Sequence, residues 1–358
     1  MIDIRVGDCR DLLRAMPDAS VHMCVTSPPY WGQRDYGVDG MIGLEASVDE
    51  WVAAIVEVAS EVRRVLRDDG TFWLNLGDKY NSPGPNNHGK STVVHRGTPA
   101  EKWNQPTGRR NPVLKPKDLM GLPWRVAFAL QADGWWLRSD IIWAKPNPMP
   151  SSVTDRPSTA HEYVFLLTKA ARYFYDTEAV REPVLAASLE RCEAGFVTSA
   201  RDGAVAGVSI GANKRTRYGL RESFVAKATR NHRSVWTIPT APFPGEHFAT
   251  YPPKLVEPCI KAGTSEHGVC AECGAPFERG ETPTRSTGWR ATCAHDAERV
   301  PATVLDPFSG AGTTGLVAQR LGRNYIGLEL NPTYAEMSRK RIADDLKTEA
   351  DERIERGQ

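Results

Sequence analysis

A short proline-containing segment near the N-terminus combines a hydroxyl, a rigid backbone and an aromatic ring. It reads Ser27-Pro28-Pro29-Tyr30 and follows an apolar run at 21–25 that predicts a strand. Proline ends a central strand and fixes the loop after it. The Ser27 hydroxyl and the Pro28 carbonyl oxygen could both accept hydrogen bonds from one NH₂ group, while the Tyr30 ring stacks on a planar molecule. The segment predicts a site for an exocyclic amine of a flipped base; the alternative is a proline-rich turn that only ends a strand.

Such an amine is a weak nucleophile because its lone pair is delocalised into the ring. Two acceptors that draw its hydrogens out of the ring plane would restore lone-pair character on the nitrogen. The lone pair would then point toward a methyl donor. The chemistry that this segment favours is therefore transfer of a methyl group to nitrogen.

A glycine-rich loop near the C-terminus is the second segment with chemical meaning. An apolar strand pattern at 304–306 runs into Gly310, Gly312 and Gly315, and a helix pattern follows. Glycines let the backbone approach a ligand closely. Glu329 ends the next predicted strand, where a carboxylate accepts hydrogen bonds from ribose hydroxyls. The pair predicts an adenosine-containing cofactor; the alternative is a glycine turn without a ligand.

A nicotinamide dinucleotide is the first rival cofactor. Its fingerprint opens a long mononucleotide-binding half, but only 43 residues follow Gly315 here. The nucleotide site must therefore be completed by N-terminal segments. That order fits a circularly permuted sheet.

Four possible metal ligands lie in two close pairs. Cys270 and Cys273 form a C-x-x-C, and Cys293 and His295 follow twenty residues later. Such pairs are typical of a tetrahedral structural zinc site. A metal-free loop and a redox pair are the alternatives. Two further residues are near enough in sequence to be spare ligands, namely Cys259 and His267.

The elements that must position these residues alternate between strands and helices. Strand patterns occupy 2–6, 21–25, 71–76, 135–143, 162–168, 304–306 and 325–329, and helix patterns occupy 11–16, 48–67, 123–133, 251–262, 313–321 and 334–347. Alternation of this kind predicts an α/β fold with a doubly wound, mostly parallel, Rossmann-like sheet.

Composition is that of an ordinary globular protein. The 358 residues are 41% apolar and 25% charged, and 45 basic residues balance 44 acidic ones for a net charge of +1. This balance argues against a histone-like or tail-driven nucleic-acid binder, although not against local basic surfaces. No apolar run predicts a membrane span. The early charges argue against a signal peptide, and seven scattered cysteines argue against a disulfide framework. We expect a cytoplasmic protein of a bacterium, an archaeon or a phage.

Together, the two loops resemble the amino-directed DNA methyltransferases that use S-adenosylmethionine, in the permuted order called the β group. In that family the Ser-Pro-Pro-Tyr loop comes first and the glycine loop comes last, as in this chain. The resemblance implies catalytic roles for Ser27, Pro28, Pro29 and Tyr30. It also implies a methyltransferase fold of the S-adenosylmethionine type.

The same resemblance assigns the cofactor site. The segments at 306–314 and 327–331 match the cofactor loop and the ribose-binding segment, 247–255 resembles the part that closes over the methionine end, and Asp8 sits in a turn that meets the adenine. The residues implied to bind S-adenosylmethionine are Asp8, Cys9, Phe248, Asp306, Phe308, Ser309, Gly310, Gly312, Thr313, Glu329 and Asn331.

Two basic stretches without periodicity are the expected DNA contacts. The family's target-recognition region lies where this chain has 181–235, and the loop at 79–117 is a second place for contact with phosphates and base edges. The chain is expected to divide into eight segments. They are a catalytic-loop half (1–78), a basic insertion (79–117), further methyltransferase core (118–180), a candidate target-recognition region (181–235), a cofactor-closing segment with its helix (236–266), a candidate zinc knuckle (267–296), a glycine-loop half (297–348) and a tail (349–358).

The base that receives the methyl group is inferred from one position. A serine before Pro-Pro-Tyr is typical of cytosine-N4 enzymes of this family, whereas adenine-N6 enzymes more often carry Asp or Asn there. We therefore expect N4 of cytosine in duplex DNA, with N6 of adenine as the alternative and an RNA or protein amine as a more remote one. Cytosine-C5 methylation is disfavoured. It needs a thiolate nucleophile, usually in a Pro-Cys pair, and the only such pair, Pro258-Cys259, lies within a predicted helix as a buried cysteine.

Partners and secondary contacts complete the expectations. The partners are duplex DNA and a possible cognate restriction endonuclease, for a monomer or a homodimer. Trp31 and Tyr36 follow the catalytic loop and either stack the base or belong to the core. Lys145 ends a strand at the same sheet edge and meets either DNA or a carboxylate.

Overall fold

The computed structural model describes residues 1–33, 37–81, 111–184, 229–241, 251–282 and 285–355. The chain divides into two compact units. The larger one comprises Met1–Asp176 and Ser234–Gln358, and the smaller one comprises Thr177–Arg233. Most of the two basic stretches, residues 82–110 and 185–228, lies outside the described residues, as do Tyr36 and Phe248.

A mixed sheet organises the larger unit. Its strands, in the part of the chain that the structure describes, are β1 (Ile2–Val6), β2 (Val21–Thr26), β3 (Leu66–Leu76), β4 (Trp136–Ala144), β5 (His161–Thr168), β8 (Val235–Thr237), β13 (Thr303–Asp306) and β14 (Asn324–Glu329). These eight strands lie in the order β1-β14-β13-β2-β3-β5-β4-β8. Neighbouring pairs are parallel except where β5 lies antiparallel between β3 and β4.

The predicted α/β class with a mostly parallel sheet is confirmed. β2 and the second half of β3 are buried almost throughout, which explains why 21–25 and 72–76 are largely apolar. β2 and β13 lie side by side although almost 280 residues separate them. The Ser-Pro-Pro-Tyr loop and the glycine loop therefore leave adjacent strands at the same edge of the sheet.

Six helices connect the strands of the described larger unit. They are α1 (Cys9–Arg14), α2 (Val48–Val65), α3 (Leu122–Ala132), α4 (Pro253–Gly263), α5 (Thr313–Arg320) and α6 (Pro332–Glu355). Ser47 caps α2 by accepting a hydrogen bond from the Glu50 amide, and the helix buries an apolar face that includes Trp51 and Val62. No helix of the described residues is long and apolar enough to cross a membrane.

The predicted end of α2 at residue 67 is wrong. The helix stops at Val65, and Leu66 already has an extended backbone and pairs with Val21. Pairing with β2 wins over the helical pattern because it buries Leu66 completely in the core. A register shift between Val21 and Met23 then accommodates the following turn before Thr71 continues the ladder.

Trp31 belongs to the core and does not face a ligand. Its side chain is fully buried, and its indole N–H donates to the Glu45 carbonyl oxygen over 3.1 Å. Of the two interpretations of this residue, the structure favours the core. Tyr36, the other aromatic side chain with the same two interpretations, lies outside the described residues.

The remaining strands form short hairpins. The smaller unit pairs β6 (Glu182–Pro183) with β7 (Thr229–Arg230), and Glu182 accepts hydrogen bonds from Arg233 in the same unit. The larger unit pairs β9 (Val269–Cys270) with β12 (Arg299–Val300), and β10 (Phe277–Thr282) with β11 (Arg285–Ala291). The described residues within 267–300 thus form a small antiparallel appendage just before β13.

Candidate active site

A cleft of about 900 Å³ opens where the parallel strands end. Most strands reach this edge with their carboxyl ends, and the antiparallel β5 reaches it with its first residues. Ligands bind at this edge in open α/β sheets. The predicted site residues that line the cleft are Asp8, Cys9, Ser27, Pro28, Pro29, Tyr30, Phe308, Ser309, Gly310, Thr313, Glu329 and Asn331.

The Ser-Pro-Pro-Tyr loop is held from both sides. The Trp51 indole N–H, from α2, donates to the Pro29 carbonyl oxygen over 3.0 Å. Gly77, which follows β3, lies so close to the Tyr30 ring that an added Cβ would come within 2.8 Å of it. A side chain at position 77 would push the ring aside, so glycine there fixes where Tyr30 sits.

Tyr30 is also fixed through its hydroxyl group. The Tyr30 oxygen lies 3.2 Å from Ser27 Oγ, 3.0 Å from Glu162 Oε2 and 3.4 Å from Asn75 Oδ1. The Lys145 ammonium forms an ion pair with the other Glu162 oxygen. Of the two partners expected for Lys145, DNA or a carboxylate, the structure shows a carboxylate, that of Glu162 in the same chain.

The sequence reasoning did not assign roles to several polar side chains of the cleft. These residues are Asn75, Asp78, His161, Glu162, Tyr251 and Tyr334. Asn75 lies at the end of β3 and Asp78 just after it, and His161 and Glu162 begin the antiparallel β5, so their position at the ligand-binding edge could have identified them. Tyr251 precedes α4 and Tyr334 lies in the first turn of α6.

Asp78 organises the segment beside the catalytic loop. Its carboxylate accepts hydrogen bonds from the backbone amides of Gly121 and Leu122 at the start of α3, over 3.0 and 3.1 Å. Burial nevertheless raises the pKa of this carboxyl. Next to it, burial lowers the pKa of Lys79 to about 8, and the ammonium lies over the Trp31 ring.

On the opposite side of the cleft, backbone amides of the glycine loop and of the turn after β14 hold the Glu329 carboxylate. The Gly310 amide donates to one carboxylate oxygen over 2.7 Å, and the Asn331 amide donates to the other over 2.9 Å. Burial, as the largest effect, raises the pKa of Glu329. Each carboxylate oxygen has a second lone pair, so the group can also accept hydrogen bonds from a ribose that enters the cleft.

Gly312 serves the packing of the loop. Its backbone lies in the left-handed region (φ 71°), and an added Cβ would come within 2.0 Å of Ser338 Oγ on α6. It does not belong to the lining of the cleft. Glycine at this position lets α6 approach the loop. The contact of Gly312 with the cofactor stays a prediction.

Asp306 is buried beneath the loop and does not line the cleft either. Its carboxylate accepts hydrogen bonds from Thr26 Oγ1 (2.5 Å), the Phe308 amide (3.0 Å), Thr314 Oγ1 (2.6 Å) and the Tyr251 hydroxyl (3.0 Å). In the structure, Asp306 orders the loop and joins β13 to β2. Its contact with the cofactor stays a prediction.

The turn after β1 completes this side. Asp8 caps α1 by accepting a hydrogen bond from the Arg10 amide over 2.8 Å, and it is paired with the Arg10 guanidinium. Hydrogen bonding to this guanidinium lowers the pKa of Asp8. Burial raises the pKa of the neighbouring Cys9 thiol to about 12, so Cys9 stays neutral beside the cleft.

The four predicted metal ligands converge outside the cleft. The ligand atoms of Cys270, Cys273, Cys293 and His295 all lie within 4.8 Å of one another. The spare ligands considered above are not part of this group. The Cys259 thiol is buried in α4, where it donates to the Leu255 carbonyl oxygen, and His267 stacks on Trp289.

This Cys/His cluster is tied to the central sheet. His22 on β2 accepts a hydrogen bond at Nδ1 from the Thr303 amide, so its Nε2 donates to the Gly274 carbonyl oxygen over 3.1 Å. Burial lowers the pKa of His22 to about 4, which keeps the ring neutral in this bridge. Arg67 on β3 adds a hydrogen bond to the Cys273 carbonyl oxygen.

The fold and the cleft are those of the class of S-adenosylmethionine-dependent methyltransferases. Comparison with known proteins identifies the family to which the chain belongs. The N6/N4 methyltransferase family, described as DNA methylase, matches residues 21–340. The chain belongs to this family of DNA methylases.

Curated relatives extend over nearly the whole chain. The type II methyltransferase M.Cfr9I of Citrobacter freundii is 40% identical over 94% of this chain and 86% of its own length. The type II methyltransferase M.SmaI of Serratia marcescens is 38% identical over 95% and 90%. M.SfiI of Streptomyces fimbriatus, also a type II methyltransferase, is 33% identical over 92% and 88%.

Solved structures share the fold. The cytosine-N4-specific PvuII DNA methyltransferase matches with a TM-score of 0.53 at 19% identity, over all of this chain and 93% of its own. A putative DNA modification methylase from Thermus thermophilus, complexed with S-adenosyl-L-methionine, matches with a TM-score of 0.51 at 21% identity, over 96% of each chain.

Proposed function

We propose that this protein transfers a methyl group from S-adenosylmethionine to the exocyclic N4 of a flipped cytosine in duplex DNA. The observation that carries the proposal is the meeting of two loops in one cleft. Ser27 and Tyr30 line one side of it, and Gly310 and Glu329 line the other. A cofactor held by the glycine loop and an amine held by Ser-Pro-Pro-Tyr would face each other across this space.

The roles of the residues follow from what each can donate or accept. Ser27 Oγ and the Pro28 carbonyl oxygen would accept the two amine hydrogens and turn the nitrogen lone pair toward the cofactor. The Tyr30 ring would stack on the base. S-adenosylmethionine supplies an electrophilic methyl group that the nitrogen attacks directly and in line. In such a scheme most of the rate acceleration comes from positioning.

The cofactor side of the site is assigned to side chains that line the cleft. Glu329 would hold the ribose hydroxyls, and the Gly310 backbone would let the cofactor approach closely. Phe308 and Asn331 would contact the nucleoside, and Asp8 would accept from the adenine amino group. Phe248, in the segment expected to close over the methionine end, lies outside the described residues.

Cytosine is favoured over adenine by the residue at position 27. The Ser27 hydroxyl is neutral and small, whereas the Asp typical of adenine-N6 enzymes is a stronger, charged acceptor. Adenine N6 stays the alternative, because both side chains accept a hydrogen bond from an amino group. The relatives named above are type II methyltransferases, which supports site-specific methylation and a cognate restriction endonuclease as a partner.

A base-resolved assay tests this proposal. Purified protein is incubated with labelled S-adenosylmethionine and mixed-sequence duplex DNA, and the nucleosides are identified by mass spectrometry after digestion. N4-methylcytosine is the expected product. N6-methyladenine would overturn the choice of base while leaving the chemistry intact. If no nucleoside carries the label although the cofactor binds, the amine belongs to an RNA or a protein.

We also propose a structural zinc ion in the Cys/His cluster. Three sulfur ligands and one imidazole suit tetrahedral zinc. Cys270 Sγ lies 3.8 Å from His295 Nδ1, and His295 Nε2 lies 3.5 Å from Glu272 Oε1. A carboxylate behind a histidine ligand orients the ring toward a metal ion. Hydrogen bonding from the Cys273 amide lowers the pKa of Cys270 to about 6, which favours the thiolate that a metal needs.

Metal analysis tests the zinc proposal. Protein purified without added metal should contain about one zinc ion per chain, and Cys293→Ser should lose it. Cys259→Ala is the matched control, because this buried thiol lies outside the cluster. Protein that neither contains zinc nor binds added zinc would refute the site and favour a redox pair or a metal-free loop.

A further inference from the structure

A chain of hydrogen bonds leads from the catalytic serine to Glu162. Ser27 Oγ lies 3.2 Å from the Tyr30 hydroxyl, which donates to Glu162 Oε2 over 3.0 Å. Lys145 forms an ion pair with the other carboxylate oxygen. The side chains of Glu162 and Lys145 are only 19% and 18% exposed. Four side chains from three separate parts of the sequence thus form one connected network at the cleft.

The direction of each hydrogen bond follows from the donors available. An ionised carboxylate only accepts, so the single hydroxyl hydrogen of Tyr30 points toward Glu162. Asn75 does not reverse this direction. Its amide nitrogen donates to the Tyr163 carbonyl oxygen over 3.0 Å, so its Oδ1, an acceptor, is the atom that faces Tyr30.

This direction determines what Ser27 can do. Since the Tyr30 hydrogen is engaged by acceptors, the Tyr30 oxygen can only accept the hydrogen of the Ser27 hydroxyl. The Ser27 hydrogen is thereby held away from the base site, and the Ser27 oxygen presents lone pairs to the cleft. A serine without this partner could rotate its hydrogen toward the amine nitrogen and block the attacking lone pair.

We propose that Glu162 is a positioning residue that makes Ser27 a hydrogen-bond acceptor for the target amine. This inference rests on the proposed amine methylation. Lys145 orients the Glu162 carboxylate through their ion pair, and Tyr30 transmits the direction of the hydrogen bonds. No part of this role depends on whether the base is cytosine or adenine.

The same network gives the departing proton a route. The amine nitrogen forms a bond to the methyl carbon with its lone pair, while the carbon–sulfur bond breaks and its electron pair stays on sulfur. The methylated nitrogen is then cationic and releases one proton to Ser27 Oγ. The Ser27 hydrogen moves to Tyr30, and the Tyr30 hydrogen moves to Glu162, which passes it to water.

Glu162→Gln and Tyr30→Phe test this role together. The amide introduced by Glu162→Gln would offer an N–H donor where the carboxylate only accepts, and Tyr30→Phe removes the hydroxyl while keeping the ring. Each change should lower kcat roughly 100-fold, the lower end for positioned proton transfer. The affinity for S-adenosylmethionine should stay unchanged. Glu162→Gln should lower the melting temperature, because the Lys145 ammonium loses its charged partner, so kcat is measured well below that temperature. The double variant should be no slower than Tyr30→Phe alone, because Glu162 acts through Tyr30.

The controls separate this inference from its foundation. Glu257→Gln is the matched charge change, since Glu257 pairs with Lys261 on the exposed face of α4. It should leave kcat unaltered. Full activity of either Tyr30→Phe or Glu162→Gln would overturn the inference, and so would multiplicative losses in the double variant. Absence of any methylated nucleoside with the unaltered protein would instead refute the proposed function itself.

Discussion

The two sides of the cleft are built from contacts of different range. On the glycine-loop side, Glu329 is joined to Gly310 and Asn331, which lie 19 and 2 residues away. On the catalytic side, Tyr30 is joined to Glu162 across 132 residues. The contacts of Glu329 on the first side lie within one strand-turn-helix-strand unit. The second side exists only after β2, β3, β4 and β5 have come together in the sheet.

This difference explains which residues could be found by their spacing. A local site leaves a pattern in the sequence, because glycines and a carboxylate must recur at set distances along one unit. A site assembled across the sheet leaves single residues at strand ends. Lys145 and Glu162 follow no motif of their own that indicates their contact with Tyr30.

The largest effect is expected for Tyr30→Ala. This change removes both the stacking surface and the partner of Ser27, so kcat should fall about 100- to 1000-fold, comparable to loss of a preorganised transition-state contact. Binding of S-adenosylmethionine, measured by calorimetry, should survive because the glycine-loop side is untouched. If cofactor binding disappears as well, the two sides are not the independent structures described above.

Gly312→Ala should destabilise the glycine-loop side, because the new side chain strains the backbone and clashes with a neighbour. The left-handed backbone and the contact with Ser338 together should lower the free energy of unfolding by roughly 2–5 kcal/mol, as measured by denaturant titration. Gly322→Ala is the matched control, because Gly322 has φ 70° but open space around it. It should lose only the backbone part, about 1–2 kcal/mol. Equal losses in the two variants would contradict the role of Ser338.

Ser338→Ala sharpens this test. The Ser338 hydroxyl is buried without a hydrogen-bond partner among the described residues. Its removal alone should therefore be neutral or slightly stabilising. In the double variant with Gly312→Ala, part of the lost stability should return because the nearest atom is gone. No recovery would mean that backbone strain alone carries the loss.

Glu329→Gln should weaken cofactor binding with little effect on the catalytic side. Loss of a charged hydrogen-bond acceptor should raise the Kd for S-adenosylmethionine roughly 10- to 100-fold. In the unaltered protein, burial raises the Glu329 pKa above 4.5. On acidification the affinity should therefore decline at a higher pH than for an ordinary glutamate. A pH-independent Kd across this range would exclude Glu329 as the ribose acceptor.

Among the changes that should weaken the protein, the smallest effect is expected for Asp8→Asn. Asn still caps a helix but loses the ion pair with Arg10, so the free energy of unfolding at pH 7 should fall by about 1 kcal/mol or less. The Asp8 pKa in the folded protein lies below 3.8, so this contribution is present at neutral pH. It is lost as the pH falls through the folded-state pKa. Unfolding curves of both proteins should therefore converge in acid.

Two details were decided against the sequence pattern. Asp306 belongs to the glycine motif, yet four hydrogen bonds beneath the loop occupy its carboxylate. Periodicity extends α2 to residue 67, but pairing with β2 ends it at Val65. In each case the energy of tertiary burial exceeds a local preference.

The sequence by itself determined the fold class, the two loops of the cleft and the two Cys/His pairs. Each of these depends on neighbours within a few residues, so periodicity and spacing record it. Only the tertiary structure decided that Glu162 and Lys145 stand behind Tyr30, that Asp306 faces inward, and that His22 joins the Cys/His cluster to β13. Such contacts depend on which strands become adjacent, and adjacency is set by burial over the whole chain.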